Sequence, residues 1–471
     1  MTNRRQFFKN TSLLGLGGLL FNPLEVFSAP TPEVLFKHKK AKNIILLVSD
    51  GMSSGTLSMA NIFKERMFGK SSHWIQLYQD NLVSRALMDT ASASSIITDS
   101  AAAGSSWGSG FRVKNGSLNI GVNGEEYLPI WQKFKKKGKK TGCVTTVPIT
   151  HATPASFCVS QKSRNSQEQI AEQYLQLRFD VMMGGGYKYF GAEFREDKKD
   201  MLSDFKKNGF TVIRNKSEFA QVSSEKPVLG IFAEDGLPYT VDHQSQPDLM
   251  NKIPTLAEMT QQAIDVMKDH AQGFVLQVEA GKVDWAAHGN DISALLFDQL
   301  AFDDAVKVAI DFAQKDQETL VIITTDHGNA NPGVIYGKEA NQNFDSLQYF
   351  KHSNDFLLQS LTHQTTVTAC QDIFKSAQQI QLDSKDAQRL LDYYQNTASE
   401  NGVYNYKKLP FKALAEIQKN HTSVGWISMD HSADHVEVAA YGPGNHLLKP
   451  FIRNTDLHYF MLQAAEVENK F

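Results

Sequence analysis

Four short runs of the chain are mostly apolar and free of charge: Asn43–Val48, Gly142–Val147, Gly273–Val278 and Leu320–Thr325. Unbroken runs of this length fit strands covered on both faces, as in a parallel sheet. Around them the apolar spacing becomes helical. Leu128–Lys140, Gln167–Leu177, Ile253–His270 and Ile292–Phe312 read as amphipathic helices, with Thr255 available to cap the third. Phe179–Gly186 reads as a further strand and turn. Alternating helix and parallel strand predicts an α/β fold, a three-layer sandwich around a central, mostly parallel sheet. The stretch from about residue 329 to 423 breaks the pattern. It is polar, Gln- and Asn-rich and helix-prone, with no obvious buried strand. It is expected to be an insertion over the ligand end of the sheet, a lid, crown or dimer contact, inside a single domain spanning 40–471.

Open α/β sheets collect ligands beyond the carboxyl ends of their strands. All four runs end in chemistry-bearing residues. Asp50 follows the first, His151 and Thr153 the second, Glu279 the third, and Asp326 with His327 the fourth. Asp284 and His288 stand four apart, which puts both on one face of a helical turn, and His431 follows much later in Asp430-His431-Ser432. Carboxylates and imidazoles in these numbers suit zinc, and an all-oxygen subset suits magnesium. Ile97-Thr98-Asp99-Ser100-Ala101-Ala102-Ala103-Gly104 reads as a loop that delivers Ser100 to the first turn of a helix, with good helix formers as far as Gly104. Free amides at a helix start favour an anion there, and the small neighbours leave room for a bulky ligand. A serine needs an activating partner; a zinc ion beside it would lower the pKa of its hydroxyl.

Taken together and in this order, Asp50-Gly51-Met52, Thr98–Ala102, His151–Ala155, Gln277–Glu279, Asp284–His288, Thr325–Gly328 and His431 identify a resemblance to the alkaline phosphatase family over nearly the whole mature length. The resemblance implies phosphate monoester hydrolysis through a phosphoserine on Ser100, with inorganic phosphate as product inhibitor and a homodimer as the assembly. It implies one zinc on Asp284, His288 and His431, a second on Asp50, Asp326 and His327 beside Ser100, and one magnesium on Asp50, Thr153 and Glu279. Arg164 falls where the family binds phosphate, and Asp99 could steer its guanidinium. His151 and Trp285 occupy positions that vary within the family; other members carry Asp at the first and Lys or His at the second. Trp285 brings no charge, so direct cationic help is lost there. The calcium site of some members is not expected, because Ala233 and Ile253 stand where acids would be needed. His73, His243, His352, His363, His421 and His435 lack comparable context and are read as surface or packing residues. The rival readings are a phosphodiesterase or sulfatase-like hydrolase on the same metal core, or a non-catalytic phosphate- or metal-binding protein.

Net charge is −3, so no polybasic nucleic-acid surface is indicated. Asn3-Arg4-Arg5-Gln6-Phe7-Phe8-Lys9 precedes an apolar stretch from Leu13 to Phe21. Paired arginines before so short a segment predict a twin-arginine signal over residues 1–29, with periplasmic or secreted localisation and no stable membrane anchor. The three cysteines, Cys143, Cys158 and Cys370, make no disulfide framework.

Overall fold

The computed structural model describes residue 36 and residues 39–395, 399–400 and 403–469. The expected signal segment lies outside them. A sheet of ten strands divides the molecule. In chain order its strands are β1 (Asn43–Val48), β2 (Ser84–Met88), β3 (Lys140–Pro148), β4 (Val181–Gly185), β5 (Thr211–Ile213), β6 (Val228–Ile231), β7 (Phe274–Glu279), β8 (Thr319–Thr324), β9 (Val436–Tyr441) and β10 (Phe451–Ile452). Their order across the sheet is β10-β2-β9-β8-β1-β7-β3-β4-β6-β5. The four apolar runs are the adjacent central strands β8, β1, β7 and β3, all parallel. Val48 pairs with both Glu279 and Thr324, so their carboxyl ends finish side by side.

The unbroken apolar sequence follows from two cores, one on each face. In β1, Ile45 and Leu47 join one core while Ile44, Leu46 and Val48 join the other. Full burial of such side chains contributes about 1.5–3 kcal/mol each. The first face is covered by α1 (Ser54–Phe68), α6 (Leu256–Met267) and α8 (Ile292–Asp316), the second by α2 (Ser100–Ser109), α3 (Ile130–Lys136), α4 (Ala152–Cys158) and α5 (Gln167–Leu177). Thr255 caps α6 through a capping box with Glu258. Two elements differ from expectation. Helix α3 is a shorter core of the Leu128–Lys140 segment, entered after Pro129 and ending before the left-handed Gly138. Helix α2 does not stop at Gly104, because tertiary packing needs the glycine: a Cβ there would stand 2.2 Å from Ser156 Oγ on α4.

Between residues 329 and 423 lie helices Ala340–Asp345, Asn354–Ser360, Val367–Gln378, Ser384–Leu391 and Phe411–Thr422. Phe344, Leu358, Phe374 and Leu414 extend the first core outward. A short ribbon, Gly333–Val334 with Val424–Gly425, joins the two ends of this stretch. All three cysteines are free and buried. No described helix is long and apolar enough to cross a membrane.

Candidate active site

Because β1, β7 and β8 end together, Asp50, Glu279, Asp326 and His327 converge, each almost completely buried. His327 Nε2 stands 3.2 Å from Asp326 Oδ2 and 3.6 Å from Asp50 Oδ1. Thr153, in the first turn of α4, donates to Asp50 Oδ2 at 3.2 Å. Thr145, near the end of β3, donates to Glu279. Burial raises Asp50 well above the usual carboxylate range, with Asp326, Asp284 and Glu279 adding repulsion. Burial likewise pushes Asp326 to about 6 and Glu279 to about 7. Burial, together with the facing His431, holds His327 down to about 3, so its imidazole is neutral.

A second group forms beside the first. Helix α7 (Lys282–His288) begins just beyond β7 and carries Asp284 and His288, with His288 Nε2 3.5 Å from Asp284 Oδ2. β9 runs antiparallel to β8, so the loop before β9 lies at the carboxyl ends of the parallel strands. That loop delivers His431, whose Nε2 is 3.5 Å from Asp284 Oδ1 and whose ring stacks 3.7 Å from that of His327. Burial would raise Asp284, but His288 and His431 outweigh it and hold the carboxyl far below its usual range. Burial would lower His431, but the Asp284 carboxylate prevails and lifts it to about 9.

Ser100 opens α2, and its Oγ lies 3.3 Å from His327 Nε2. Asp99 caps that helix by accepting from the Ala102 amide. Its other oxygen accepts from the Gly116 amide and from Arg164 Nη1, both at 2.9 Å. Arg164 Nη2 donates to His151 Nε2 at 3.1 Å. A guanidinium only donates, so this nitrogen accepts and His151 is neutral; burial, aided by the Arg164 charge, lowers its pKa to about 3. Trp285 packs its ring against His151, centroid to centroid 6.1 Å. All thirteen side chains proposed for the site from sequence therefore belong to one connected region.

Sequence reasoning missed the groups that hold these residues in place. His288 Nδ1 donates to the Met429 carbonyl at 2.7 Å, and His431 Nδ1 donates to the Thr98 carbonyl at 2.9 Å. These are backbone atoms of distant loops and leave no side-chain signature. Asn329 donates to Asp284 Oδ1 at 2.7 Å. Gly51 has φ +65°, and a Cβ there would stand 2.4 Å from Asp284 Oδ1; the glycine straight after a strand-tip acid was the visible signal.

The donor sets fit metal ions. With each Nδ1 committed to a carbonyl, the Nε2 atoms of His288 and His431 face one another at 3.1 Å; one of them must carry the proton between them, whereas a bound cation would take both nitrogens as ligands. Asp50 Oδ1, Asp326 Oδ2 and Glu279 Oε1 are buried without a hydrogen-bond partner among the described residues. Metal-compatible groupings comprise Asp284, His327 and His431; Asp50, Asp326 and His327; and Asp50, His151 and Glu279. His151 thus reaches the third group, where the sequence placed only oxygen ligands.

The sequence profile of the alkaline phosphatase family matches residues 41–467. Alkaline phosphatase 4 of Bacillus subtilis (strain 168) is 30% identical over 88% of this chain and 87% of its own. Alkaline phosphatase 3 of the same organism is 29% identical over 97% and 96%. Among solved structures, Thermus thermophilus alkaline phosphatase superposes with a TM-score of 0.84 at 30% identity, covering 96% of each chain. The cold-active enzyme from a psychrophilic Shewanella sp. gives a TM-score of 0.76 at 27% identity, covering 90% of this chain and 99% of its own. With its fold, its convergent strand tips and its sequence in agreement, the chain belongs to the alkaline phosphatase family, a family of phosphatases.

Proposed function

We propose that this protein is an exported, homodimeric alkaline phosphatase that hydrolyses phosphate monoesters through a phosphoserine on Ser100. Asp284, His288 and His431 would hold one zinc, Asp50, Asp326 and His327 a second, and Asp50, Thr153 and Glu279 a magnesium. The observation that carries this reading is the pair of imidazole Nε2 atoms aimed at each other at 3.1 Å, next to buried acids that pair with histidines and with no lysine or arginine among the described residues. Held there, two zinc ions would supply positive charge to the attacking and leaving oxygens of an in-line displacement.

The residues of the chain supply the rest. Ser100 Oγ attacks phosphorus, a new P–O bond forms, and the bond to the leaving alcohol breaks. The start of α2 presents amides to the developing negative charge. Arg164 can take two phosphate oxygens with its planar guanidinium, and Asp99 and His151 hold that guanidinium in place. Water then cleaves the phosphoserine, releasing inorganic phosphate and restoring Ser100. Catalysis of this kind is chiefly positioning and charge stabilisation of a loose phosphoryl transition state. The paired arginines near the N-terminus support export.

The test is hydrolysis of a chromogenic phosphate monoester beside its diester and sulfate analogues, with and without chelator. Monoester turnover that dominates the panel and disappears on chelation is expected. A dominant diester or sulfate activity would assign the site to that chemistry instead, and no turnover by metal-replete protein would leave a binding protein.

A further inference from the structure

Lys282, the first residue of α7, is only 7% exposed. Its Nζ stands 3.6 Å from the centroid of the Tyr239 ring and 4.7 Å from that of Trp285. No carboxylate lies within ion-pair distance of it among the described residues; burial lowers its pKa, and Asp298, Asp355, Asp235 and Asp242 oppose that from further away. A buried ammonium without a direct partner is costly, and an apolar chain of similar length would fill the space at less cost. Two aromatic faces offset that cost through cation–π attraction. Backbone closes the other side: a Cβ at Gly236 would lie 2.9 Å from Trp285 Cζ3 and 3.3 Å from Lys282 Cδ.

The contacts continue into the site. Trp285 meets the His151 ring nearly edge-on, at 75°. His151 Nδ1 has no hydrogen-bond partner, so no bond at that nitrogen fixes the ring. The ring is held by its bond from Arg164 at Nε2 and by its packing against Trp285. Arg164 in turn bonds Asp99, the cap of the helix that begins with Ser100.

We propose that Lys282 is a positioning residue of the phosphate site: its ammonium, set between Tyr239 and Trp285, fixes Trp285 and through it the His151 ring that presents Arg164. The inference rests on Arg164 being the phosphate ligand. It assigns a use to a buried charge that neither the metal groups nor the nucleophile requires.

The test is Lys282→Met, which keeps length and removes charge, compared with Lys282→Arg, which keeps charge. Inorganic phosphate binding is measured by calorimetry and by inhibition, at equal metal content and with melting temperature recorded. Lys282→Met should weaken phosphate binding three- to tenfold and raise KM more than it lowers kcat; Lys282→Arg should recover most of the loss. In a Trp285→Ala background, Lys282→Met should change phosphate binding less than twofold, because the element it acts through is gone. Unchanged binding in Lys282→Met, or an equal loss in both backgrounds, overturns the proposal. Lys282→Gln gives the same readout if the Met variant folds poorly. Arg164→Ala separates the two levels: if it too leaves phosphate binding unchanged, the phosphate reading itself fails, whereas a loss there with none in Lys282→Met defeats only the role of Lys282.

Discussion

The two halves of the site are built on different principles. The inner half, Asp50, Glu279, Asp326 and His327, is almost completely buried at the ends of adjacent strands and accumulates negative charge. The outer half, Asp284, His288 and His431, stands on a short helix and a loop and brings together imidazole nitrogens, with both histidines partly exposed. Sheet geometry fixes the inner half, and two loop carbonyls fix the outer half. Neither half pairs its carboxylates with a lysine or arginine among the described residues, but only the inner half has a carboxylate, Asp50, placed in two metal groups. Removing Asp50, the one inner ligand placed in two groups, should therefore disturb two ions, while removing an outer ligand should cost one.

The largest effect is expected where the halves meet, at Ser100. Ser100→Ala should abolish the phosphoserine and lower turnover by about 1000-fold or more, as for nucleophiles acting within a catalytic unit, while metal content stays intact. Phosphopeptide mapping after acid quench, with steady-state rates, checks it; full activity in a pure sample removes Ser100 from the mechanism.

Next comes the phosphate side. Arg164→Ala loses charged hydrogen bonds that contribute roughly 1.5–3 kcal/mol each, so the inhibition constant of inorganic phosphate should rise about tenfold or more. An unchanged constant would mean that Arg164 does not bind the phosphate.

A smaller effect is expected at the two variable positions. Trp285→Lys combined with His151→Asp puts a fixed cation beside the phosphate site and replaces the neutral imidazole with a carboxylate. Phosphate inhibition should tighten several-fold and turnover at alkaline pH should slow wherever product release limits it. The inhibition constant at equal metal occupancy decides: the same or a higher value would mean that packing alone accounts for this pair.

What could be read in the sequence follows the same division. The central strands were legible because both of their faces are buried, which leaves continuous apolar runs, and the inner acids were legible because they cap those runs. The edge of the sheet was not. Ser84-Arg85-Ala86-Leu87-Met88 is short and partly exposed, and Val436–Tyr441 places Glu437 in mid-strand, so neither gives the buried-strand pattern. His431 was found through its motif. The reason it arrives at the site, the antiparallel direction of β9, is a pairing that no local pattern encodes. The carbonyls that hold the outer histidines and the placement of Lys282 between two rings depend on segments far apart in sequence.

The central claim is that one buried carboxylate ties the inner ions together beside Ser100, and metal content tests it most directly. The parent should carry about two zincs and one magnesium per chain if all three proposed sites fill. Asp50→Asn should lose hold of two ions together, one zinc and the magnesium, while the zinc on Asp284, His288 and His431 stays bound. Loss of a single ion from Asp50→Asn, with the other two held as tightly as in the parent, would contradict it.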